Sequence, residues 1–447
     1  MIRISTASDG RLRDVLRGLG ALRHDYWTFR GRARRDHCHG CIQYPAMMVP
    51  QVVREVLHAI TSVHPEATLV HDPFVGSGTI LTEAMLSGLS FRGQDINPLA
   101  VLVCKTKAGP FLRVARRRAI ADLRERLRGD KSRAIAVRFA GRDKWFTPQV
   151  QVGLSRIVRA IRAERSLTHR RFFWLALAET VRLTSNSRTS TFKLHTRPTV
   201  EIEERNPDPL VIFNSTLSKN AAAFSRLGRR LRESSLLRGG RYARRVSTSI
   251  ADARDAAAVG LGKADILITS PPYGDNVTTV PYGQFSFLPL QWIDFADIAP
   301  EADRTALTST HEIDFRSLGG TRRIGQDDVD KLKTELPPLR AYLRSVEGQP
   351  KDRATRVTAF MRDLRLSIKP ILASLNPNAV MVWVLGNRRV GGVQVPLHSI
   401  LRAALEAEGA RWITTLTRRI PSKRMAVKNS VADTMSEERI LIMRAAS

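Results

Sequence analysis

Residues 67 to 97, "ATLVHDPFVGSGTILTEAMLSGLSFRGQDIN", restrict the fold of this chain more than any other stretch. A short apolar run ends in Asp72 and passes through Gly76 and Gly78. A helix-length apolar run then stops at Gly88, and a second short apolar run ends in Asp95. That is strand, tight turn, helix, strand. Two strands joined by a helical crossover pair in parallel, so the unit predicts a parallel sheet covered on both faces. The alternation resumes from Arg245, with strands in "RVSTSIADA" and "ADILITS". A helix "ATRVTAFMRDLRLSIKPILASL", a strand "AVMVWVLG", a helix "VPLHSILRAALEAEG" and strands in "RWITTLTRRI" and "ERILIMRA" follow. The expected class is a doubly wound α/β fold.

Residues 110 to 240 interrupt this pattern with arginine-rich helical runs. They hold 29 Lys and Arg against 11 Asp and Glu, an excess of 18 out of the whole chain's +30. Such an imbalance favours a polyanionic partner, nucleic acid being the commonest, and marks the insert as its carrier. The expected organisation is residues 1–109 as an N-terminal segment plus cofactor-binding half, 110–240 as a basic helical insert, and 241–447 as a catalytic half. An irregular loop or lid is expected at 294–354. No run of eighteen or more apolar residues occurs, and "MIRISTASDGRLRD" lacks a secretory pattern, so a cytoplasmic protein is expected. Three cysteines are too few for a disulfide framework.

The turn "DPFVGSGT" is neither a dinucleotide fingerprint nor a phosphate loop, because no third glycine and no Gly-Lys-Ser/Thr follows. Its glycines allow close backbone approach to a ligand. Asp95, ending the next strand, can take both hydroxyls of a ribose, and Asp252, after the third strand, can reach the base of the same nucleoside. Three acids at successive strand ends repel phosphate, so a nucleoside cofactor without one fits, and S-adenosylmethionine is such a molecule. Here "DPFVGSGT" resembles the S-adenosylmethionine motif of the amino-group DNA methyltransferases, and "TSPPY" resembles their catalytic motif. The likeness spans residues 40–105, 245–292 and 355–445. It implies a Rossmann-like methyltransferase fold in which Asp72, Phe74, Gly76, Gly78 and Thr79 shape the methionine pocket. Asp95, with Asn97 beside it, would hold the ribose, Asp252 the adenine amine, and Tyr44 and Pro45 of "YPAMMVP" would close over the methionine end.

An exocyclic amine conjugated to a base is a poor nucleophile until its nitrogen rehybridises, which acceptors for its N–H bonds promote. The corner Ser270-Pro271-Pro272-Tyr273 suits this. Proline fixes φ and brings no N–H, Ser270 adds a hydroxyl acceptor, and Tyr273 can stack on a base swung out of a duplex. Serine in the first position is typical of the cytosine-N4 members, Asp or Asn of the adenine-N6 members. Transfer to cytosine C5 needs a cysteine after a proline, which is absent. The expected activity is therefore cytosine-N4 methylation of double-stranded DNA. Adenine N6, a tRNA guanine-N2 enzyme and a binding protein without catalysis remain as alternatives.

Candidate nucleic-acid contacts are Arg182, Arg188, Lys193 and Arg197 in the insert, Tyr282 and Gln284 after the corner, and Arg418, Arg419, Lys423 and Arg424 near the C-terminus. The cluster "HCHGC", residues 37–41, packs four potential ligands too tightly for one tetrahedral ion, so no metal is expected. Whether a cognate restriction or defence component accompanies the chain is left open by the sequence.

Overall fold

The computed structural model describes all residues except 1, 24, 34, 259–260, 276–278, 391 and 421–435; for 2–6 and 256–258 it describes the backbone alone. Its centre is a seven-stranded sheet of β1 (Leu69–Asp72), β2 (Ser90–Asp95), β3 (Val246–Ile250), β4 (Ala264–Thr269), β5 (Leu375–Gly386), β6 (Arg411–Arg419) and β7 (Glu437–Arg444). The order across the sheet is β6-β7-β5-β4-β1-β2-β3. The pairs β1–β2, β1–β4, β2–β3 and β4–β5 are parallel, while β7 runs antiparallel to both neighbours. The Rossmann-like methyltransferase fold expected from the sequence is the fold observed.

Strand patterning explains the two covered faces. On β5, Val380, Val382 and Val384 enter one hydrophobic core and Met381, Trp383 and Leu385 the other. On β7, Ile440 and Ile442 part from Leu441 and Met443 in the same way. Strands buried on both faces need a continuous apolar run, which is what these segments are. The covering helices include α1 (Ile2–Ala21), α2 (Pro50–Val63), α3 (Thr79–Leu86) and α4 (Pro98–Lys107).

The insert contributes α5 (Arg113–Gly129), α6 (Pro148–Arg162), α7 (Leu167–Thr184) and α8 (Pro209–Glu233). Leu123, Ile157, Phe173 and Leu217 of these helices belong to the same core as Phe91 of β2 and Leu99 of α4, so the insert is packed against the sheet. Many of its cations end in intramolecular pairs, such as Arg126–Glu164 at 2.9 Å, Arg159–Asp130 at 2.8 Å and Arg170–Asp297 at 2.8 Å.

After the insert come α9 (Tyr282–Gln291), α10 (Lys351–Ala373) and α11 (Leu397–Glu406). The loop expected over 294–354 is instead largely helical, with helices at Glu312–Arg316, Gln326–Glu335 and Pro337–Ser345 among others. Leu332, Leu336, Leu339 and Leu343 keep a helical spacing and pack into the second core. Pro337-Pro338 and a dense polar exterior break that spacing into pieces too short to read from the sequence. No helix among the described residues is long and apolar enough to cross a membrane.

Candidate active site

β1 is the point where sheet order reverses relative to chain order, with β2 on one side and β4 on the other, and open α/β sheets place ligands outside the strand ends there. A cleft of about 1110 Å³ opens at that point. From Asp72 the chain turns through Gly76 (φ 46°) and Gly78 (φ 69°) into α3. A side chain on Gly78 would meet Cys104 Sγ at 2.9 Å, so this glycine serves the turn and its packing and does not line the cleft. Lys107, buried on α4, donates from Nζ to the Ser77 carbonyl at 2.7 Å and supports the turn from beneath.

The two acids flanking the turn are held by neutral donors. Asp72 Oδ1 accepts from Thr269 Oγ1 at 2.7 Å and from the Phe74 N–H at 3.1 Å. Asp95 accepts from the N–H groups of Gly76 and Asn97, each at 2.9 Å. Neither has a cation within ion-pair distance among the described residues. Burial accordingly pushes Asp72 up to about 7 and Asp95 up to about 6. The third acid differs: Asp252 is clamped by Arg254, with Oδ2 to Nη2 at 2.6 Å and Oδ1 to Nε at 3.0 Å. Arg254 also donates to the Arg316 carbonyl at 2.9 Å and lies 3.5 Å from Asp363, tying Asp252 to the 294–354 segment and to α10.

The structure brings Tyr44, Pro45, Asp72, Phe74, Gly76, Thr79, Asp95, Asn97 and Asp252 together around one cleft. Asn97 is fully engaged, capping α4 through the Leu99 N–H at 3.0 Å and donating to Tyr44 Oη at 3.0 Å and Ser286 Oγ at 2.8 Å. It therefore fixes Tyr44, whose ring stands 5.8 Å from that of Tyr282.

Ser270, Pro271, Pro272 and Tyr273 line the same cleft from the end of β4. Ser270 Oγ donates to Tyr273 Oη at 3.1 Å, and that hydroxyl faces Glu438 Oε1 at 3.5 Å. Burial, then the Glu438 charge, hold the Tyr273 phenol well above its ordinary value, so it stays protonated. Glu438 is paired with Arg418, whose Nε donates to the Trp27 carbonyl at 2.9 Å. Directly beyond Tyr273, buried Asp275 is held by Arg388 at 3.1 Å.

The expected nucleic-acid contacts separate into three groups. Arg418 is a correction: only 3% exposed and engaged by Glu438 and Trp27, it supports the tyrosine and cannot meet a phosphate. Strand alternation turns it inward and its neighbour Arg419 outward into solvent. Arg182 pairs with Glu179 at 2.7 Å, and Arg197 and Arg188 both pair with Glu201, at 3.2 and 3.8 Å; Arg188 is half-exposed and Lys193 exposed. Gln284 is buried and accepts the Leu194 N–H at 3.0 Å, while Tyr282 lines the cleft; Lys423 and Arg424 lie outside the described residues.

At "HCHGC", His39 Nε2 meets Glu83 at 2.8 Å, and Glu83 also accepts from Arg54, so the histidine clips this segment to α3. Cys38, Cys41 and Cys104 are buried free thiols. The sequence reading missed Arg254, Arg388 with Asp275, Thr269 and Asp314. Thr269 opens "TSPPY", a motif already recognised, and Arg254 stands two residues after Asp252. Asp314 accepts the Gly283 N–H at 2.8 Å at the start of α9, a contact across 31 residues with no sequence signal.

The chain is 30% identical over 439 residues to the type II methyltransferase M.MvaI of Kocuria varians, a match covering 94% of each protein. It is 34% identical over 76 residues to the type II methyltransferase M.MjaII of Methanocaldococcus jannaschii, covering 17% of this chain and 14% of that one. No protein-family model matches the sequence.

Proposed function

Because this chain belongs to the type II methyltransferase family, we propose that it methylates double-stranded DNA at the exocyclic N4 amine of cytosine, with S-adenosylmethionine as the methyl donor. The observation that carries this reading is the single cleft lined by Asp72 and Asp95 on one side and by Ser270 to Tyr273 on the other. Cofactor and target can meet there without crossing protein.

The buried acids fit that cofactor. Carboxylates raised by burial and lacking a cation gain from ribose hydroxyl donors or a nearby positive charge, and they disfavour phosphate. Asp95 would hold the ribose, Asp72 and the Gly76 turn the methionine end under Tyr44 and Pro45, and Asp252 the adenine amine. S-adenosylmethionine, when bound, supplies an electrophilic methyl group on a positively charged sulfur.

The residues at the corner favour an amine nucleophile. The one proton of the Ser270 hydroxyl is committed to Tyr273, so Oγ is left with acceptor capacity only. It can accept an N–H from the target amine and draw the lone pair out of conjugation. Tyr273, anchored at its hydroxyl, offers a ring fixed in place for a flipped base. The three thiols are buried and do not line the cleft, which argues against C5 chemistry.

The insert, residues 110–240, is our candidate for target recognition. Its support is the Leu194–Gln284 hydrogen bond and the Phe192–Phe285 ring contact at 5.8 Å, which register the loop holding Arg188 and Lys193 against the start of α9 beside Tyr282.

The deciding measurement is mass spectrometry of nucleosides released from unmethylated duplex DNA after incubation with protein and S-adenosylmethionine, beside a Tyr273→Ala variant and a tRNA sample. N4-methylcytosine that disappears in the variant is expected. N6-methyladenine would overturn the base assignment and keep the mechanism, and methylation of tRNA alone would overturn the DNA reading.

A further inference from the structure

α9 opens on Tyr282, which lines the cleft. Its ring stands 5.8 Å from that of Tyr44, with the two planes tilted by 31°. Tyr44 is held by Asn97, which also donates to Ser286 Oγ further along α9. The ring pair thus joins the residue proposed to close over the methionine end to the helix that follows the Ser270–Tyr273 corner.

The start of a helix leaves N–H groups without intrahelical acceptors, and the residue before it commonly supplies one. Pro281, in that place here, has no side-chain acceptor to offer. The acceptor comes from a distant part of the chain: Asp314 Oδ1 takes the Gly283 N–H at 2.8 Å, and a carboxylate there also suits the helix dipole. Gly283 is fitted to this acid, since a side chain on it would set its first carbon 2.8 Å from Asp314 Oδ2 and 3.0 Å from the Asp314 backbone nitrogen. Burial pushes the Asp314 carboxyl up to about 6, and the N–H groups at the start of α9 pull it back down. Asp314 lies fully buried on the short helix Glu312–Arg316, behind its neighbours Ile313, Arg316, Ser317 and Leu318, which line the cleft. The same short helix reaches the cofactor side, where the Arg316 carbonyl accepts from Arg254, the residue that clamps Asp252.

We infer that Asp314 is a positioning residue for the target base: through the Gly283 N–H it fixes the first turn of α9, and with that turn the Tyr282 ring in the cleft. The inference rests on the DNA reading above and deepens it. A ring on the first residue of a helix moves with that turn. Released from Asp314, the turn has glycine as its second residue, the type with most conformational freedom to regain. In-line transfer is sensitive to displacements of an ångström or less, so a loosened Tyr282 slows the reaction. Asp314 lines neither the cofactor pocket nor the base site, so its effect falls on the rate and leaves cofactor affinity in place.

The test is single-turnover methyl transfer to unmethylated duplex DNA at saturating S-adenosylmethionine, with rates taken per folded molecule, for wild type, Asp314→Ala, Asp314→Asn, Tyr282→Ala and the double variant of Asp314→Ala with Tyr282→Ala. Asp314→Ala is expected to slow transfer about tenfold or more, with calorimetric cofactor affinity within about twofold of wild type. Asp314→Asn keeps an acceptor for the Gly283 N–H and is expected to recover the rate to within about threefold of wild type. Because Asp314 acts through Tyr282, the double variant should be no slower than Tyr282→Ala alone, a result that a helix cap serving stability only would not give. If Asp314→Ala does not fold, Gly283→Ala, which sets a methyl group against Asp314, carries the same expectation of a slowed rate with cofactor affinity kept. A wild-type rate in the variant used, or losses that multiply in the double variant, would overturn the role of Asp314 and leave the activity standing. A wild type that methylates no DNA would overturn both.

Discussion

Two groups of carboxylates at and around the cleft are held in opposite ways. At the ends of β1 and β2, Asp72 and Asp95 are met by hydroxyl and backbone N–H donors alone, and burial raises both. Three other acids at and around the cleft each have their own arginine: Asp252 beyond β3 has Arg254, Asp275 has Arg388 and Glu438 has Arg418. An acid paired this way has its charge compensated before any ligand arrives, and what it still offers is a remaining lone pair, as Asp252 would to the adenine amine. A buried acid without a cation is costly, and a ligand that brings donors relieves that cost. One group is thus completed by the protein's own side chains and the other by what the cleft binds.

The comparison breaks most visibly at Arg418. Arg418→Ala leaves Glu438 facing Tyr273 without its cation and is expected to cost about 3–5 kcal/mol in a denaturation midpoint. The double variant with Glu438→Gln should recover much of that loss, and a simple sum of the two single effects would refute the coupling. Tyr273→Ala, which touches the proposed base site and leaves the ion pair, should reduce methyl transfer by about a hundredfold or more in single-turnover assays, with cofactor affinity within about twofold.

For the group without cations the signs reverse. Asp72→Asn keeps the Oδ1 acceptor for Thr269 and Phe74 while removing a buried charge. The ligand-free protein at neutral pH should then be as stable as wild type or more so, while S-adenosylmethionine binds at least about tenfold more weakly by calorimetry. A fall in stability equal to the fall in affinity would place Asp72 among the structural acids.

The smallest expected effect is the pH dependence. Asp72 at about 7 and Asp95 at about 6 lie above their unfolded values, so the folded protein holds protons that the unfolded chain has released. Their contribution to stability is complete at low pH and is lost as pH rises from about 4 through about 7. Ribose donors favour the charged form, so cofactor affinity should rise between about pH 6 and 8 and then level off, with protons released on binding. Calorimetry in buffers of differing ionisation heat would show that release, and its absence would mean the acids are already charged in the free protein.

Legibility followed sequence distance. The Gly76–Gly78 turn, Asp95 at the end of β2 and the Ser-Pro-Pro-Tyr corner are local patterns and were found where the structure has them. Arg254 was close enough to Asp252 to be found and was passed over because it completes the acid it follows. Arg388 and Asp275 lie 113 residues apart, and Arg418 reaches Trp27 across 391, so no local pattern reports them. Asn97 was expected at the cofactor and lines the cleft while serving Tyr44 and α4.

The sequence by itself determined the alternation of strands and helices, the two motifs at the strand ends and the basic excess, because periodicity, glycine turns and composition are properties of neighbouring residues. Only the tertiary structure decided which charges are neutralised and which remain for a ligand. Coulomb energy and desolvation depend on separation through space and on burial, and neither is ordered along the chain. For that reason the arginine counted toward DNA at position 418 became a support for Tyr273, while Asp314, part of no motif, came to hold the start of α9.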